Sequence, residues 1–235
     1  MNFILNFKSS GFSTFDQYHL IWLLMFIAVG ILMYKHFITL TINSRLLLLK
    51  FMAWTILVLE IIKDLLLLIF NQFVITELPL HLCGISIFLC LYEAYKQSTF
   101  SKELIYSLSL PGALLAILFP NWTNIAPFGL RSSQAFIIHF LIVMFSFLMM
   151  SNKDFRPNIK NAYKILLFLI FISIPIHFFN VNFNTNFMFI ESYSANSPLV
   201  YVAMIFPKIK YYFKMILLMM LWLFLMYFPW YTTKK

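Results

Sequence analysis

Residues 17–34 read QYHLIWLLMFIAVGILMY, a run of eighteen residues without Asp, Glu, Lys or Arg. At about 1.5 Å per residue, a helix of this length reaches about 27 Å, close to the roughly 30 Å hydrocarbon thickness of a bilayer. Similar runs recur along the 235-residue chain, which is 62% hydrophobic and 11% charged. Soluble domains carry about 25% charged residues, so this composition excludes a soluble enzyme, a disordered chain and a charged coiled coil. The sequence therefore predicts an all-α, polytopic membrane protein.

Charged residues divide the chain into about seven predicted transmembrane helices, which form a single integral membrane domain over residues 1–235. These spans lie near residues 17–34, 46–70, 78–95, 104–119, 132–150, 165–179 and 215–230. Segment 192–207 is also free of charge, but it is short and its first half is polar. We expect this segment to be interfacial or re-entrant, since irregular backbone inside a bilayer must be covered by protein or water.

The distribution of basic residues predicts the orientation, because Lys and Arg concentrate on the cytoplasmic side of membrane proteins. With seven spans and the N-terminus outside, eleven Lys and Arg residues fall on the inner side and five on the outer side. With an eighth span over 192–207, the numbers become twelve and four. Both arrangements give the first six spans the same orientation. We expect seven spans, with the N-terminus outside and the C-terminus inside.

The net charge of +9 comes from basic residues that are spread between the apolar runs. Residues placed in this way set the topology and attract anionic lipid head groups. Nucleic-acid-binding proteins instead carry a basic patch or stripe. The sequence therefore predicts membrane phospholipids as partners, excludes nucleic acid, and favours a multi-pass protein of the cell membrane.

On this topology the polar side chains gather near the outer side of the membrane, and the inner half of the bundle is expected to be nearly devoid of them. Polar groups in a bilayer are costly and normally face the interior of the bundle, where they have a use. The sequence thus predicts a polar cavity open to the outer leaflet, with simple hydrogen bonding between helices as the alternative. The main residues at this depth are His19, Glu60, Lys63, Asp64, His81, Cys83, Arg131, His139, His177 and Asn186.

Cys83 is the candidate nucleophile, because a thiolate accepts acyl groups and a neighbouring histidine can take its proton. On an α-helix, residues two apart differ by about 200°, so His81 is expected to face away from Cys83. His139 is the predicted base, since its span enters from the same face, and His177 lies at a similar depth. The alternative is that Cys83 packs as a small buried hydrophobe.

Glu60, Lys63 and Asp64 share one helix face by their spacing. Either acid is a candidate to orient the catalytic histidine, and the alternative is a self-neutralising ion cluster. Arg131 stands at the entrance of the fifth predicted span. Its guanidinium suits bidentate contacts with a lipid phosphate, although it is also placed to extend its charge to the membrane surface.

The remaining motifs indicate no cofactor. The chain contains no P-loop, no nucleotide-binding glycine pattern, no HExxH and no GxSxG. The histidines lack the local spacing of metal ligands, so no metal is predicted, although separate helices could assemble a His-rich zinc site. Cys83 and Cys90 are predicted to be free thiols, because seven helical residues place their Cα atoms about 10 Å apart, too far for a disulfide.

Five short motifs occur in a specific order along the chain. They are Phe15–His19 (FDQYH), Leu78–Cys83 (LPLHLC), Pro111–Ala113 (PGA), Gln134–His139 (QAFIIH) and Asn186–Phe189 (NFMF). This ordered set resembles the YwaF-type integral membrane proteins of Gram-positive bacteria, which are similar to the eukaryotic transmembrane protein 164 family. The chain departs from the pattern at residues 206–208, which read FPK where a Trp-Pro pair is usual.

The resemblance implies a seven-helix fold and acyl transfer between phospholipids through Cys83, with His139 as its partner. The predicted function is therefore that of a cysteine-dependent phospholipid acyltransferase or lipid acyl hydrolase, with a polar cavity in the outer leaflet. The predicted substrate-binding residues are His81, Arg131, His177 and Asn186, and the predicted orienting or structural residues are Glu60, Asp64 and His19. The alternatives are a small-solute or ion transporter, for which an inverted repeat is expected, and a non-catalytic assembly component.

Overall fold

The computed structural model describes residues 11–152, 155–193, 200–201, 204 and 210–232, which contain seven long helices and no strand. The helices are α1 (Gln17–Thr39), α2 (Ile42–Ile69), α3 (Leu82–Lys96), α4 (Thr99–Leu118), α5 (Leu130–Ser151), α6 (Ala162–Phe183) and α7 (Tyr211–Thr232). Short 3₁₀ turns cover Ile75–Glu77, Ile159–Asn161 and Phe187–Phe189. The all-α prediction is confirmed for this part of the chain.

Among the described residues, five helices are long and apolar enough to cross a membrane: α1, α4, α5, α7 and the stretch Ile159–Phe183 that contains α6. Charged side chains in its second half set α2 apart from these five, and α3 has only 15 residues. The number of seven spans and the orientation of the termini therefore stay predictions. Most of the predicted interfacial segment 192–207 lies outside the described residues.

The centre of the bundle is formed by α4 and α5. Within their most apolar windows, 67% of α4 and 50% of α5 are buried, compared with 17% for α1 and α7. Aromatic side chains fill this centre, and the rings of Phe26 and Phe140 stack with centroids 4.5 Å apart. The peripheral helices expose leucine, isoleucine and phenylalanine side chains, as expected of surfaces that face lipid.

A proline shapes the middle of α4, which passes through a π-helical segment at Ile105–Ser109. Pro111 has no N–H to offer to the carbonyl of Ser107, four residues before it. Trp222 of α7 donates its Nε1–H to that carbonyl across 3.1 Å. A side chain from the neighbouring helix thus satisfies a backbone group inside the apolar bundle, as membrane helices require.

The end of the bundle where α3 meets α4 carries buried polar groups, which corrects the expectation that the inner half lacks them. Glu93 is 3% exposed and accepts a hydrogen bond from Ser101 Oγ at 2.5 Å. Glu103 is fully buried and accepts from Asn161 Nδ2 at 2.9 Å and from Tyr227 Oη at 2.5 Å. The predicted spans 78–95 and 104–119 leave Glu93 near a span end and Glu103 just outside a span, whereas in the structure both acids tie the start of α4 to neighbouring elements.

Candidate functional site

The N-terminus of α3 is the centre of the candidate site. His81 is the N-cap residue, and Cys83 is the second residue of the helix. No side chain caps this end of α3, so the backbone N–H groups of its first turn have no side-chain acceptor. Such a helix end favours negative charge. Cys83 is a partly buried free thiol, and within the described residues no hydrogen bond joins its sulfur to a histidine.

A glycine allows the chain to fold tightly over this helix end. A Cβ atom at Gly84 would lie 2.5 Å from the carbonyl oxygen of Pro79 and 2.6 Å from its Cα. These are backbone atoms that cannot turn aside, so any larger residue at this position would push the loop away from α3. The interpretation from sequence missed Gly84, because a single glycine inside an apolar run gives no sign of what its Cα faces.

His81 is held by a loop that follows α6. Its Nδ1 accepts a hydrogen bond from the backbone N–H of Met188 across 3.2 Å, and its ring contacts Phe187 and Phe189 at centroid distances of 5.1 and 5.2 Å. A backbone N–H can only donate, so Nδ1 carries no proton and the neutral ring has its proton on Nε2. This Nε2–H has no partner among the described residues and is available as a donor.

The loop that holds His81 is itself anchored from α6. Buried Asn180 accepts hydrogen bonds from Thr185 Oγ1 at 2.9 Å and from Phe187 N at 2.8 Å, and donates to the Phe187 carbonyl at 3.1 Å. Met188 then adopts a φ of 57°, a left-handed conformation that is uncommon for such a residue. Tyr211 at the start of α7 donates to the Phe189 carbonyl. The direction of the Met188 N–H is therefore fixed from two helices.

His139 of α5 has the opposite arrangement of protons. Its Nδ1 lies 2.7 Å from the carbonyl oxygen of Ala135, one turn earlier. A carbonyl can only accept, so the proton is on Nδ1, and Nε2 presents a lone pair without a partner among the described residues. His81 and His139 are close enough for their charges to interact. The structure thus brings together an imidazole with a free donor and an imidazole with a free acceptor.

Trp122 completes the surroundings of His139. The two rings stack with centroids 5.3 Å apart and planes at 27°, and the indole also meets Phe136 edge-on at 5.2 Å. Trp122 is not among the site residues predicted from the sequence. No local signal marks it, since its contact with His139 depends on how that turn packs against α5.

An ion cluster links α2 to the start of α5. Lys63 Nζ lies 2.9 Å from Glu60, 3.1 Å from Asp64 and 3.4 Å from Glu77. Arg131 forms an ion pair with the other oxygen of Glu77. Glu60 and Asp64 thus lie around Lys63, while the Nδ1 of His139 is held by a backbone carbonyl. The arrangement matches the self-neutralising alternative, extended by two residues from neighbouring elements.

Beside the ion cluster, a cleft of about 80 Å³ opens between α2 and α5. Leucine and isoleucine side chains of α2 and Leu130 form most of its wall, together with Lys63, Arg131 and Gln134. Gln134 also donates to Glu60 at 3.0 Å. The cleft therefore presents an apolar wall next to paired charges.

His19 is separate from this site and has both ring nitrogens occupied. Its Nδ1 accepts from the Phe15 N–H at 2.9 Å, and its Nε2 donates to the Ile117 carbonyl at 2.8 Å. The ring is fully buried. His19 thus joins the start of α1 to the end of α4, which is the structural alternative for a membrane histidine.

His177 and Asn186 organise the surface of the loop after α6. His177 is half exposed and pairs with Glu191 at 2.7 Å. Asn186 Oδ1 accepts from the backbone N–H groups of Glu191 and Ser192 at 3.1 and 3.3 Å. Within the described residues, neither side chain forms a hydrogen bond with His81 or His139, so the structure does not bring them into this pair.

The described residues contain no group of three or more His, Cys, Asp and Glu side chains that could hold a metal ion. The groups described above offer a thiol, two imidazoles and backbone or indole N–H donors.

The comparisons with known proteins place the chain in a family. The profile of the TMEM164 family matches residues 12–228, and no curated protein and no solved structure matches the chain. The matched region covers most of the sequence and includes the apolar helices long enough to cross a membrane. The chain is a multi-pass integral membrane protein and belongs to the TMEM164 family.

Proposed function

We propose that this protein is a cysteine-dependent acyltransferase that acts on membrane phospholipids. We further propose that it is a YwaF-type member of its family and spans the cell membrane seven times, with its N-terminus outside. The observation that carries the proposal is the pair of neighbouring imidazoles next to the helix end that bears Cys83. One ring offers a free lone pair and the other a free N–H, as an acyl transfer with a base and a hydrogen-bond donor requires.

Cys83 is the nucleophile of this proposal. It lies in the first turn of α3, whose N-terminus has no side-chain cap. The positive end of the helix dipole favours negative charge on the sulfur during the reaction, and the backbone N–H groups of the first turn, which have no side-chain acceptor, are the proposed donors to that charge. The sulfur of the thiol attacks the ester carbonyl carbon of a donor phospholipid as its proton leaves.

His139 moves the proton in both half-reactions. Its Nε2 takes the proton of the Cys83 thiol as the C–S bond forms. It then gives that proton to the ester oxygen as the C–O bond breaks, so a lysophospholipid leaves and an acyl thioester remains. In the second half, the hydroxyl of an acceptor lysophospholipid loses its proton to Nε2 and attacks the thioester, and the proton returns to the sulfur. His81 contributes its Nε2–H as a donor to the bound lipid.

The charged residues next to the site position the lipid in this proposal. Arg131 uses one side of its guanidinium for Glu77, and its remaining N–H groups suit a phosphate. His177 and Asn186 stand at the exposed edge of the site, at the depth proposed for head groups. The apolar wall of the cleft between α2 and α5 suits an acyl chain.

Turnover of purified protein in lipid nanodiscs tests the proposal. The donor is a phosphatidylcholine with an isotope-labelled acyl chain, and the acceptor is an unlabelled lysophospholipid. We expect Cys83→Ala to lower transfer by about 10³-fold or more. Cys90→Ala is the matched control, since Cys90 is a buried free thiol about two turns further along the same helix. This variant should keep nearly full activity. Unchanged transfer in Cys83→Ala would refute the proposed nucleophile.

A further inference from the structure

The chain has five tryptophans, and four of them donate their indole N–H to a protein acceptor. Trp22, for example, donates to the carbonyl of Pro127 across 2.9 Å. Trp122 differs, because its Nε1 is buried and has no acceptor within the described part of the chain. A buried donor without a partner is destabilising, and native structures keep few of them.

The residues around this unpaired donor indicate which chemical group it binds. The indole stacks directly on His139, and His139 interacts electrostatically with His81, the N-cap residue of α3. An indole N–H can donate but cannot accept. The group it lacks is therefore an acceptor oxygen, and the surrounding residues belong to the site proposed for ester chemistry.

We propose that Trp122 Nε1–H is a hydrogen-bond donor to the carbonyl oxygen of the ester that Cys83 attacks. This inference rests on the proposed acyl transfer. When the sulfur bonds to the carbonyl carbon, the π electrons of the C=O bond move onto the oxygen, which becomes an oxyanion. A donor that is buried and has no other partner is aligned before the reaction and stabilises this charge. The first-turn N–H groups of α3 supply the complementary donors.

Trp122→Phe is the direct test, because phenylalanine keeps an aromatic ring against His139 and removes the N–H together with the five-membered part of the indole. We expect kcat to fall about 100-fold with little change in KM, the effect of losing one oxyanion donor. The melting temperature should fall less than in Trp22→Phe, because both variants lose the same ring volume and Trp122→Phe breaks no hydrogen bond to the protein. Trp22→Phe is the matched control: it loses a satisfied hydrogen bond, so its melting temperature should fall while kcat stays unchanged.

The kinetic outcomes separate the possibilities. Wild-type kcat in Trp122→Phe would overturn the donor role and leave the Cys83 proposal standing. A raised KM with unchanged kcat would also overturn it, because the donor would then bind an oxygen equally well before and during the reaction. A fall in melting temperature as large as that of Trp22→Phe would show that Trp122 already has a protein partner, and would overturn the inference.

A binding readout keeps the test meaningful if Cys83 is not the nucleophile. In protein labelled with ¹⁵N-tryptophan, Trp122→Phe assigns the Trp122 indole resonance. The probe is a phosphatidylcholine analogue whose sn-2 ester is replaced by a ketone. A downfield shift of that indole proton on binding supports a hydrogen bond to the carbonyl, even if Cys83→Ala retains activity. Binding of the analogue without such a shift overturns the inference.

Discussion

The backbone N–H of Met188 donates a hydrogen bond to Nδ1 of His81 across 3.2 Å. A loop after α6 thus sets the protonation of a ring at the start of α3, although the two residues are far apart in the sequence. This contact leaves the Nε2–H of His81 as a free donor. The bond from the Nδ1–H of His139 to the Ala135 carbonyl leaves Nε2 of His139 as a free acceptor. The proposed roles of His81 as a hydrogen-bond donor and of His139 as a base follow from these two backbone contacts.

Two replacements of His81 distinguish the roles of its ring nitrogens. The amide nitrogen of Gln reaches about where Nε2 lies, whereas that of Asn reaches about where Nδ1 lies. Because the free donor is Nε2–H, we expect kcat of His81→Gln to exceed kcat of His81→Asn by about 10-fold or more. The measurement is kcat for acyl transfer with one lipid pair. Equal losses in both variants would show that the donor at Nε2 is not used.

Removal of the Asn180 anchor should release the loop that holds His81. Asn180 makes three buried hydrogen bonds, each worth about 1 kcal/mol. We expect Asn180→Ala to lower the free energy of unfolding by about 2–3 kcal/mol and to reduce kcat. Asn182→Ala is the control on the same helix, because its side chain is exposed and bonds only to the Phe178 carbonyl. If both variants unfold at the same denaturant concentration, Asn180 does not anchor the loop.

Two glycines allow a matched test of the fold around Cys83. A Cβ at Gly84 would lie 2.5 Å from the Pro79 carbonyl oxygen, whereas a Cβ at Gly112 would lie 3.7 Å from Leu82 Cδ2. We expect Gly84→Ala to cost about 2 kcal/mol or more of stability through displaced backbone. Gly112→Ala should be neutral, or stabilising by about 0.5–1 kcal/mol through the helix preference for alanine. Denaturant midpoints measure both; a tolerated Gly84→Ala would mean that Pro79 does not lie over α3.

The ion pair between Glu77 and Arg131 should be energetically coupled. Loss of either partner leaves the other charge poorly solvated, and breaking a buried pair costs about 3–5 kcal/mol. Both side chains here retain some exposure, 14% and 29%, so we expect about 1–2 kcal/mol for each single variant. In a double-mutant cycle of Glu77→Gln and Arg131→Gln, the double variant should lose less stability than the sum of the losses in the two single variants. Strict additivity would show that the pair contributes nothing.

The fold class was predictable from composition, because long apolar runs with few charges can bury their backbone only as membrane helices. The partners of the individual polar residues were not. Glu103 reads as a residue near a span end, but it is buried because Asn161 and Tyr227 converge on it from other helices. Periodicity gives the face on which a residue lies, not which carbonyl or side chain that face meets.

The candidate site shows the same limit. Sequence reasoning selected His81, Cys83 and His139; the structure places His81 and Cys83 at the start of α3 and His139 within electrostatic range of His81, while their catalytic roles stay predictions. The positions of the protons on the two rings could not be predicted, because Met188 and Ala135 act through backbone groups. Trp122 could not be predicted as a site residue, because a donor is recognised as unpaired only when the positions of all the acceptors around it are known.

The most direct test of the central claim is the intact mass of the protein after incubation with a phospholipid donor in the absence of an acceptor. We predict a mass increase equal to one acyl chain, mapped to Cys83 and removed by hydroxylamine, as expected of a thioester. His139→Ala should form this adduct slowly, and Cys83→Ala should not form it. Efficient acyl transfer without an adduct on Cys83, or with the acyl group on another residue, would refute catalysis through Cys83.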